Sequence, residues 1–206
     1  FADDAVDLIE EMPANVVNRI LRHTDPETRK NINQLLNYPK DSAGSIMTIE
    51  YVDLKRSMTV ADAFMRIRRT GVDKETIYTC YVTDQNRTLI GMLSLKDLLV
   101  ADDDDIVENI METNVICVET HTDQEEVAQS LSKYNFMALP VVDKETRLVG
   151  IVTFDDAIDV IEEETTEDIE MMAAITPTDK PYLKTSVFEI WKKRIPWLLL
   201  LMISAT

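Results

Sequence analysis

The chain has 206 residues, with 38 acidic against 21 basic and a formal charge of −17. That balance excludes a nucleic-acid partner, because phosphate needs Lys and Arg, and it points to cations or basic surfaces instead. A hydrophobic share of 45% with only four glycines supports a real core of one or two domains and excludes low complexity.

Residues 1 to about 40 read as helix. Val6, Leu8, Ile9 and Met12 fit an apolar face behind Asp3, Asp4 and Asp7; Pro13 punctuates, and Val16, Val17, Ile20 and Leu21 form the next face. Asp25-Pro26-Glu27 has the form of an N-cap followed by Pro at the first helical position, with Ile32, Leu35 and Leu36 on the apolar side. Three such short helices bury little alone and should dock on something. The N-terminus lacks Met and shows no basic stretch followed by an apolar one, so the expectation is a piece of a longer chain without a signal peptide. The run Pro39 to Gly44 breaks the helical pattern and marks a domain boundary.

An internal repeat follows. Ser45-Ile46-Met47 aligns with Asn109-Ile110-Met111, and Val60, Ala63, Phe64 and Ile67 align with Gln124, Val127, Ala128 and Leu131. Tyr81 to Asp84 aligns with Pro140 to Asp143, and Leu89 to Asp97 with Leu148 to Asp156. Each copy reads strand, helix, strand, turn, strand, helix, and the first carries about five extra residues around Gly71 to Ile77. One copy would leave a sheet face exposed, whereas two can pack sheet on sheet about a pseudo-twofold axis. Cys80 and Cys117 stand in apolar surroundings with no CxxC pattern, which predicts buried, reduced thiols. The acidic run Asp102 to Asp105 reads as a solvated linker between the copies.

Thr153 and Asp156 then open a helix, with Ala157, Ile158, Val160 and Ile161 at helical spacing. From Asp155 to Glu170 there are nine carboxylates and no Lys or Arg. Such a helix repels itself and carries acids into its last turn, where they are disfavoured. Something outside it must neutralise it, and a divalent cation has the right charge. A Pro-punctuated linker, Thr176 to Pro181, leads to an amphipathic stretch, Ser186 to Lys193. Trp191-Lys192-Lys193-Arg194 then precedes an apolar run from Ile195 to Ile203, as at the cytoplasmic entrance to a membrane span. His23 and His121 are isolated, and GxSxG, Walker, HExxH and Cys/His zinc patterns are missing, so no enzyme is expected.

The repeat, over about residues 45 to 165, resembles a tandem pair of CBS (cystathionine β-synthase) domains. An acidic helical segment, the Asp41 to Thr48 junction, this pair, an acid-rich helix and a membrane entrance, in that order, resemble the cytosolic region of MgtE-type magnesium channels or transporters. Glu75 to Tyr78, Thr122 to Val127 and Leu148 to Asp168 carry the likeness most closely. It implies an α+β fold: a tandem CBS pair after a short all-α segment, followed by a linker (plug) helix entering the membrane. The expected divisions are 1–40 (end of the acidic helical N domain), 41–107 and 108–168 (the two CBS domains), 169–195 (linker and plug helix) and 196–206 (start of a transmembrane helix).

The resemblance further implies a homodimeric Mg²⁺ sensor on the cytoplasmic face of the membrane, joined to its own transmembrane pore domain. At high Mg²⁺, ions bridging acidic clusters would close the pore. Mg²⁺ takes oxygen ligands, keeps much of its water and is often held by one or two carboxylates. The implied metal candidates are Asp3 and Asp7 in the first helix, and Asp123, Glu125 and Asn135 in the second CBS copy. On the exit segment they are Asp156, Asp159, Glu163, Glu164, Glu167 and Asp168. Asn135 stands where an acid is expected. The likeness also implies an ATP cleft involving Tyr78, Lys96, Asp97 and Phe136, in the first copy because Asp155 replaces the basic residue in the second. The competing reading is an adenine-nucleotide-sensing CBS module whose acids serve solubility alone. A CBS-regulated enzyme without its catalytic domain is a third, against which the basic Trp-Leu terminus argues.

Overall fold

In the computed structural model, residues 5, 6, 8, 9, 12–172, 191, 195, 199, 202 and 203 are described. The chain divides into two compact units, Phe1–Ala157 and Ile158–Thr206. The first unit opens with α1 (Ala14–His23) and α2 (Pro26–Leu35). Asp25 caps α2 as its sequence suggests, accepting from the Glu27 and Thr28 N–H groups at 3.0 and 2.9 Å. Those bonds, Thr28 first, hold the Asp25 carboxyl below its ordinary pKa. α2 buries Ile32 and Leu35, whereas α1 buries none of its residues.

The repeat is realised as two three-stranded sheets. The first copy runs β1 (Val52–Lys55), α3 (Val60–Thr70), β2 (Thr79–Thr83), β3 (Leu89–Ser94) and α4 (Leu95–Val100). After a short α5 (Val107–Ile110), the second runs β4 (Val118–Glu119), α6 (Gln124–Tyr134), β5 (Ala138–Val142), β6 (Leu148–Thr153) and α7 (Phe154–Met172). In each sheet the first two strands are parallel, as a helical crossover requires, and the last two form an antiparallel hairpin. The ladder slips at the same place in both, between Val82 and Thr83 and between Val141 and Val142. The extra residues of the first copy lie where expected: α3 and β2 are joined by residues 71–78, including a 3₁₀ turn at Gly71–Asp73, but α6 and β5 by 135–137 only.

The hairpin turns show how the copies are joined. Asp84 Oδ1 accepts from the Asn86 and Thr88 N–H groups, and Asp143 Oδ1 from those of Glu145 and Arg147. Arg87 and Thr146 are left-handed, with φ of 68° and 58°. That conformation is uncommon for a side-chain-bearing residue and costly for a β-branched one. Its return is reciprocal: the Leu89 N–H donates to Thr146 O and the Leu148 N–H to Arg87 O, each at 3.0 Å. Between the hairpins, Tyr51, Tyr81, Ala138, Leu148 and Ile151 form a shared core, with Leu89 and Met92 packed on it. Tyr51 meets Tyr81 edge to face at 6.3 Å and donates its hydroxyl to Leu148 O.

A feature the alignment does not reveal is that the lead-in segments are exchanged. Thr48, ahead of β1, pairs with Ile151 of the other copy, N–H to O at 2.8 and 2.9 Å in the two directions. Its repeat equivalent Glu112 pairs with Met92, at 2.8 and 2.9 Å. Ser42 likewise bridges to Asp123, and Ile106 to Thr59. Each copy is therefore completed by backbone from the other. Gly150 and Gly91 make room for the crossing: a Cβ on Gly150 would stand 2.5 Å from Met47 Sδ and 2.8 Å from Thr48 O, and one on Gly91 2.6 Å from Met111 Sδ.

One expectation changes, and another falls outside the described residues. Cys80 is buried, which pushes its thiol up to about 12, but Cys117 is exposed. It precedes β4, a two-residue strand at the sheet edge, where an apolar neighbourhood in sequence does not become one in space. The amphipathic stretch at 186–193 and most of 196–206 lie outside the described residues. Among the described residues, no helix is long and apolar enough to cross a membrane.

The exchange makes an ordered expectation for the two glycines. Gly150→Ala presses on backbone at 2.8 Å, while the backbone atom nearest a Cβ at Gly91 is 3.2 Å away and Met111 can turn aside. Gly150→Ala should cost about 1–3 kcal/mol in urea unfolding and Gly91→Ala less. Equal midpoints for both variants and the parent chain would contradict the crossing.

Candidate functional site

The repeats present two equivalent strand-to-helix corners, and these have diverged in charge. At the first, β3 ends in Ser94 and α4 begins. Ser94 and Asp97 close a capping box: the Ser94 N–H and hydroxyl donate to Asp97 Oδ2 at 2.8 and 2.7 Å, and the Asp97 N–H returns to Ser94 Oγ at 3.1 Å. The Ser94 hydroxyl and N–H, with a smaller contribution from Lys96, hold the Asp97 carboxyl below its ordinary value of 3.8. Lys96 is exposed beside it. Tyr78, 65% exposed, flanks the corner, its carbonyl accepting from the Leu95 N–H at 2.9 Å. Three of the four nucleotide candidates thus share one edge. It offers a cation, a carboxylate and an exposed ring.

Phe136 belongs to the matching edge of the second copy, two residues before β5. It is half-buried and stacks on Tyr134, with centroids 5.6 Å apart and planes at 24°. Ala138, which opens β5, is buried in the core shared with Tyr81, so the loop bearing Phe136 and the start of β2 lead into one interior. Tyr134 is not among the sequence candidates. Its contact depends on a backbone reversal at Asn135 that no periodicity announces.

At the second corner one hydroxyl stands between two carboxylates. Thr153 is 5% exposed, and its one hydroxyl stands 2.5 Å from both Asp155 Oδ1 and Asp156 Oδ2. A hydroxyl has a single proton to donate, so it can serve only one of these oxygens at a time. Asp155 occupies the position that Lys96 holds in the first copy. Two carboxylates therefore converge where the first corner has one carboxylate next to a lysine.

The other metal candidates are spread. Asp123 is the N-cap of α6 and accepts from the Glu125 N–H at 2.9 Å; Glu125 accepts from Gln129 Nε2 at 2.9 Å. Asn135 is the C-cap of α6 at φ 54°, ψ 40°, a left-handed position that Asn fills more readily than most residues. On α7, Asp156, Asp159, Glu163 and Glu167 recur at spacings of three and four and so share a stripe. Asp159, Glu163, Glu167 and Asp168 are exposed, and Glu164 is half-buried. Asp3 and Asp7 lie outside the described residues. Among the described residues, no three His, Cys, Asp or Glu side chains gather as a ready metal cage. The donor set is carboxylate and hydroxyl oxygen, which suits a hard, hydrated dication held by one or two carboxylates and water rather than a closed site.

Comparison with known proteins adds the following. Residues 43–104 and 107–163 match the CBS domain family, and residues 1–41 the MgtE intracellular N domain. The Magnesium transporter MgtE of Thermus thermophilus is 43% identical over 98% of this chain and 45% of its own length. A crystal structure of the soluble part of a magnesium transporter superposes with TM-score 0.78 at 41% identity, over 80% of this chain and 64% of that one. One of the cytosolic domain of the Mg²⁺ channel MgtE in complex with ATP superposes with TM-score 0.75 at 47% identity, over 77% and 65%. The chain spans less than half the length of the curated relative.

The capping box can be titrated. Asp97 binds its proton less tightly folded than unfolded, so its stabilisation is complete above about pH 4 and is lost as pH falls through the lower folded value. Ser94→Ala should return the Asp97 titration, followed by NMR, toward 3.8, and cost about 1 kcal/mol near neutral pH, a difference that shrinks on acidification. An unmoved Asp97 titration would contradict the box.

Proposed function

The chain belongs to the MgtE family, an N-domain segment followed by a CBS pair, and from that premise we propose that it is the Mg²⁺-sensing, gating region of a magnesium channel or transporter. On this reading it works as a homodimer on the cytoplasmic face of a membrane, attached to a transmembrane pore domain of the same longer chain. The observation that carries the proposal is the second corner: one Thr153 hydroxyl shared by two carboxylates, at the head of a helix with nine carboxylates from Asp155 to Glu170 and no Lys or Arg.

Like charges about 6 Å apart repel by roughly 3 kcal/mol at an effective dielectric of 20. Several such pairs hold acidic surfaces apart. A bound dication supplies opposite charge and oxygen coordination. Asp156 and Asp159, then Glu163, Glu164, Glu167 and Asp168, are the α7 carboxylates we assign to it, with Asp123, Glu125 and the Asn135 amide as secondary ligands and Asp3 and Asp7 as those of the N domain. Each site filled to ten times its Kd favours the binding state by about 1.4 kcal/mol. A few weak sites then approach the ~5.5 kcal/mol that swings a two-state gate from 1:99 to 99:1.

A specific observation favours a second, compatible ligand. The first corner, with Lys96 beside a closed Ser94–Asp97 box and an exposed Tyr78, has the groups for a nucleotide: a cation for phosphate, a carboxylate for ribose hydroxyls and rings for adenine. One related cytosolic domain has been solved with ATP. We assign Tyr78, Lys96, Asp97 and Phe136 to that cleft.

Magnesium at millimolar concentration should raise the melting temperature by about 3–6 °C, as expected for a gain of one to two kcal/mol in a chain of this size. Asp156→Asn with Asp159→Asn should remove much of that rise without abolishing folding. A melting curve indifferent to Mg²⁺, with no heat in calorimetry, would overturn the sensor.

A further inference from the structure

The connection between α6 and β5 is short and held at both ends. The Asn135 N–H donates back to Leu131 O and Ser132 O, and the Phe136 N–H to Leu131 O at 3.2 Å. Met137 O accepts from the Phe154 N–H at 3.1 Å, and Ala138 enters the core. The left-handed residue at 135 turns the chain back over the last turn of α6, so that the Phe136 ring lies nearly parallel on Tyr134. The Lys133 ammonium stands 5.0 Å from the Tyr134 ring centroid. Lys133, Tyr134 and Phe136 thus form a ladder on one helix end. The equivalent connection in the first copy, residues 71–78, has Ile77 at the position matching Phe136.

We infer that Tyr134 is a positioning residue for nucleobase binding: it holds Phe136 as a preformed stacking platform, with Asn135 as the turn that sets the two rings together. The inference rests on the nucleotide reading above and names the part of it that selects a base. An aromatic ring gains more from stacking when its own rotamers need not be frozen on binding. Phe136 alone on a three-residue loop would pay that ordering when the ligand arrives. Stacked on Tyr134, itself anchored in α6 and covered by Lys133, it has paid already. Tyr134 need not touch the ligand. Its loss should weaken recognition of the base and leave recognition of the phosphates, which falls to Lys96, as it was.

The test is calorimetric titration of the chain with ATP and, separately, with inorganic tripolyphosphate, for the parent chain, Tyr134→Leu and Tyr134→Phe. Tyr134→Leu should weaken ATP about three- to tenfold, the worth of one aromatic pair. Tyr134→Phe should bind as the parent does, and tripolyphosphate should bind all three alike. If Tyr134→Leu binds ATP like the parent, or loses both ligands equally, the platform is wrong while the cleft stands. If the parent binds no ATP, the nucleotide reading falls and the platform with it. Should Tyr134→Leu fail to fold, Asn135→Ala, which keeps both rings but strains the turn between them, carries the same expectation.

Discussion

The two repeats are not independently closed. Backbone pairing of Thr48 with Ile151 and of Glu112 with Met92 completes each copy with a segment of the other, and the rest of the first unit depends on that exchange. It leaves least room for a side chain at Gly150, where Met47 crosses, and little at Gly91, where Met111 does. It also brings the two hairpin turns into reciprocal contact, which accounts for side-chain-bearing residues in left-handed backbone at Arg87 and Thr146. A slip in either copy would expose the core around Tyr51 and Tyr81 and break bonds in both. The result is a pair of matched edges.

On that scaffold the two strand-to-helix corners have gone opposite ways. Ser94 satisfies one carboxylate, and Lys96 stands beside it; Thr153 is divided between two carboxylates, with Asp155 in place of the lysine. On the proposed reading one corner would receive anions and the other cations, although the backbone is the same. Beyond Asp155 and Asp156, seven more acids follow as far as Glu170, and on that reading they carry the preference for cations past the corner.

Much of this was legible from residue order. Asp25-Pro26 announced its cap, Thr153 and Asp156 announced the start of α7, and the alignment of Leu89 to Asp97 with Leu148 to Asp156 announced the duplication. What stayed hidden depends on contacts distant in sequence. Nothing local to Ser45-Ile46-Met47 says that it serves the other copy. Cys117 has apolar neighbours in sequence and is exposed, because β4 is a two-residue edge strand. Tyr134 and Phe136 sit two apart, which on a helix would point them away from each other; only the left-handed Asn135 brings the rings together. The candidate carboxylates on α7 were readable as a charge run. Their partition between a shared hydroxyl at Thr153 and an exposed stripe beyond it was not.

The central claim is that a hydrated dication is drawn to the second corner and the helix it opens, not to negative charge in general. The chain contains its own control, the acidic linker Asp102 to Asp105, whose Asp103 and Asp105 carbonyls are engaged with the first amides of α3. Paramagnetic Mn²⁺, added in trace amounts to the isotopically labelled chain, reports by broadening the amide resonances nearest to it. The expected result is early broadening from Thr153 through Asp168, reversed by excess Mg²⁺, while residues 102–105 stay sharp. Broadening of the linker equal to that of α7, or an α7 left unaffected, would contradict it.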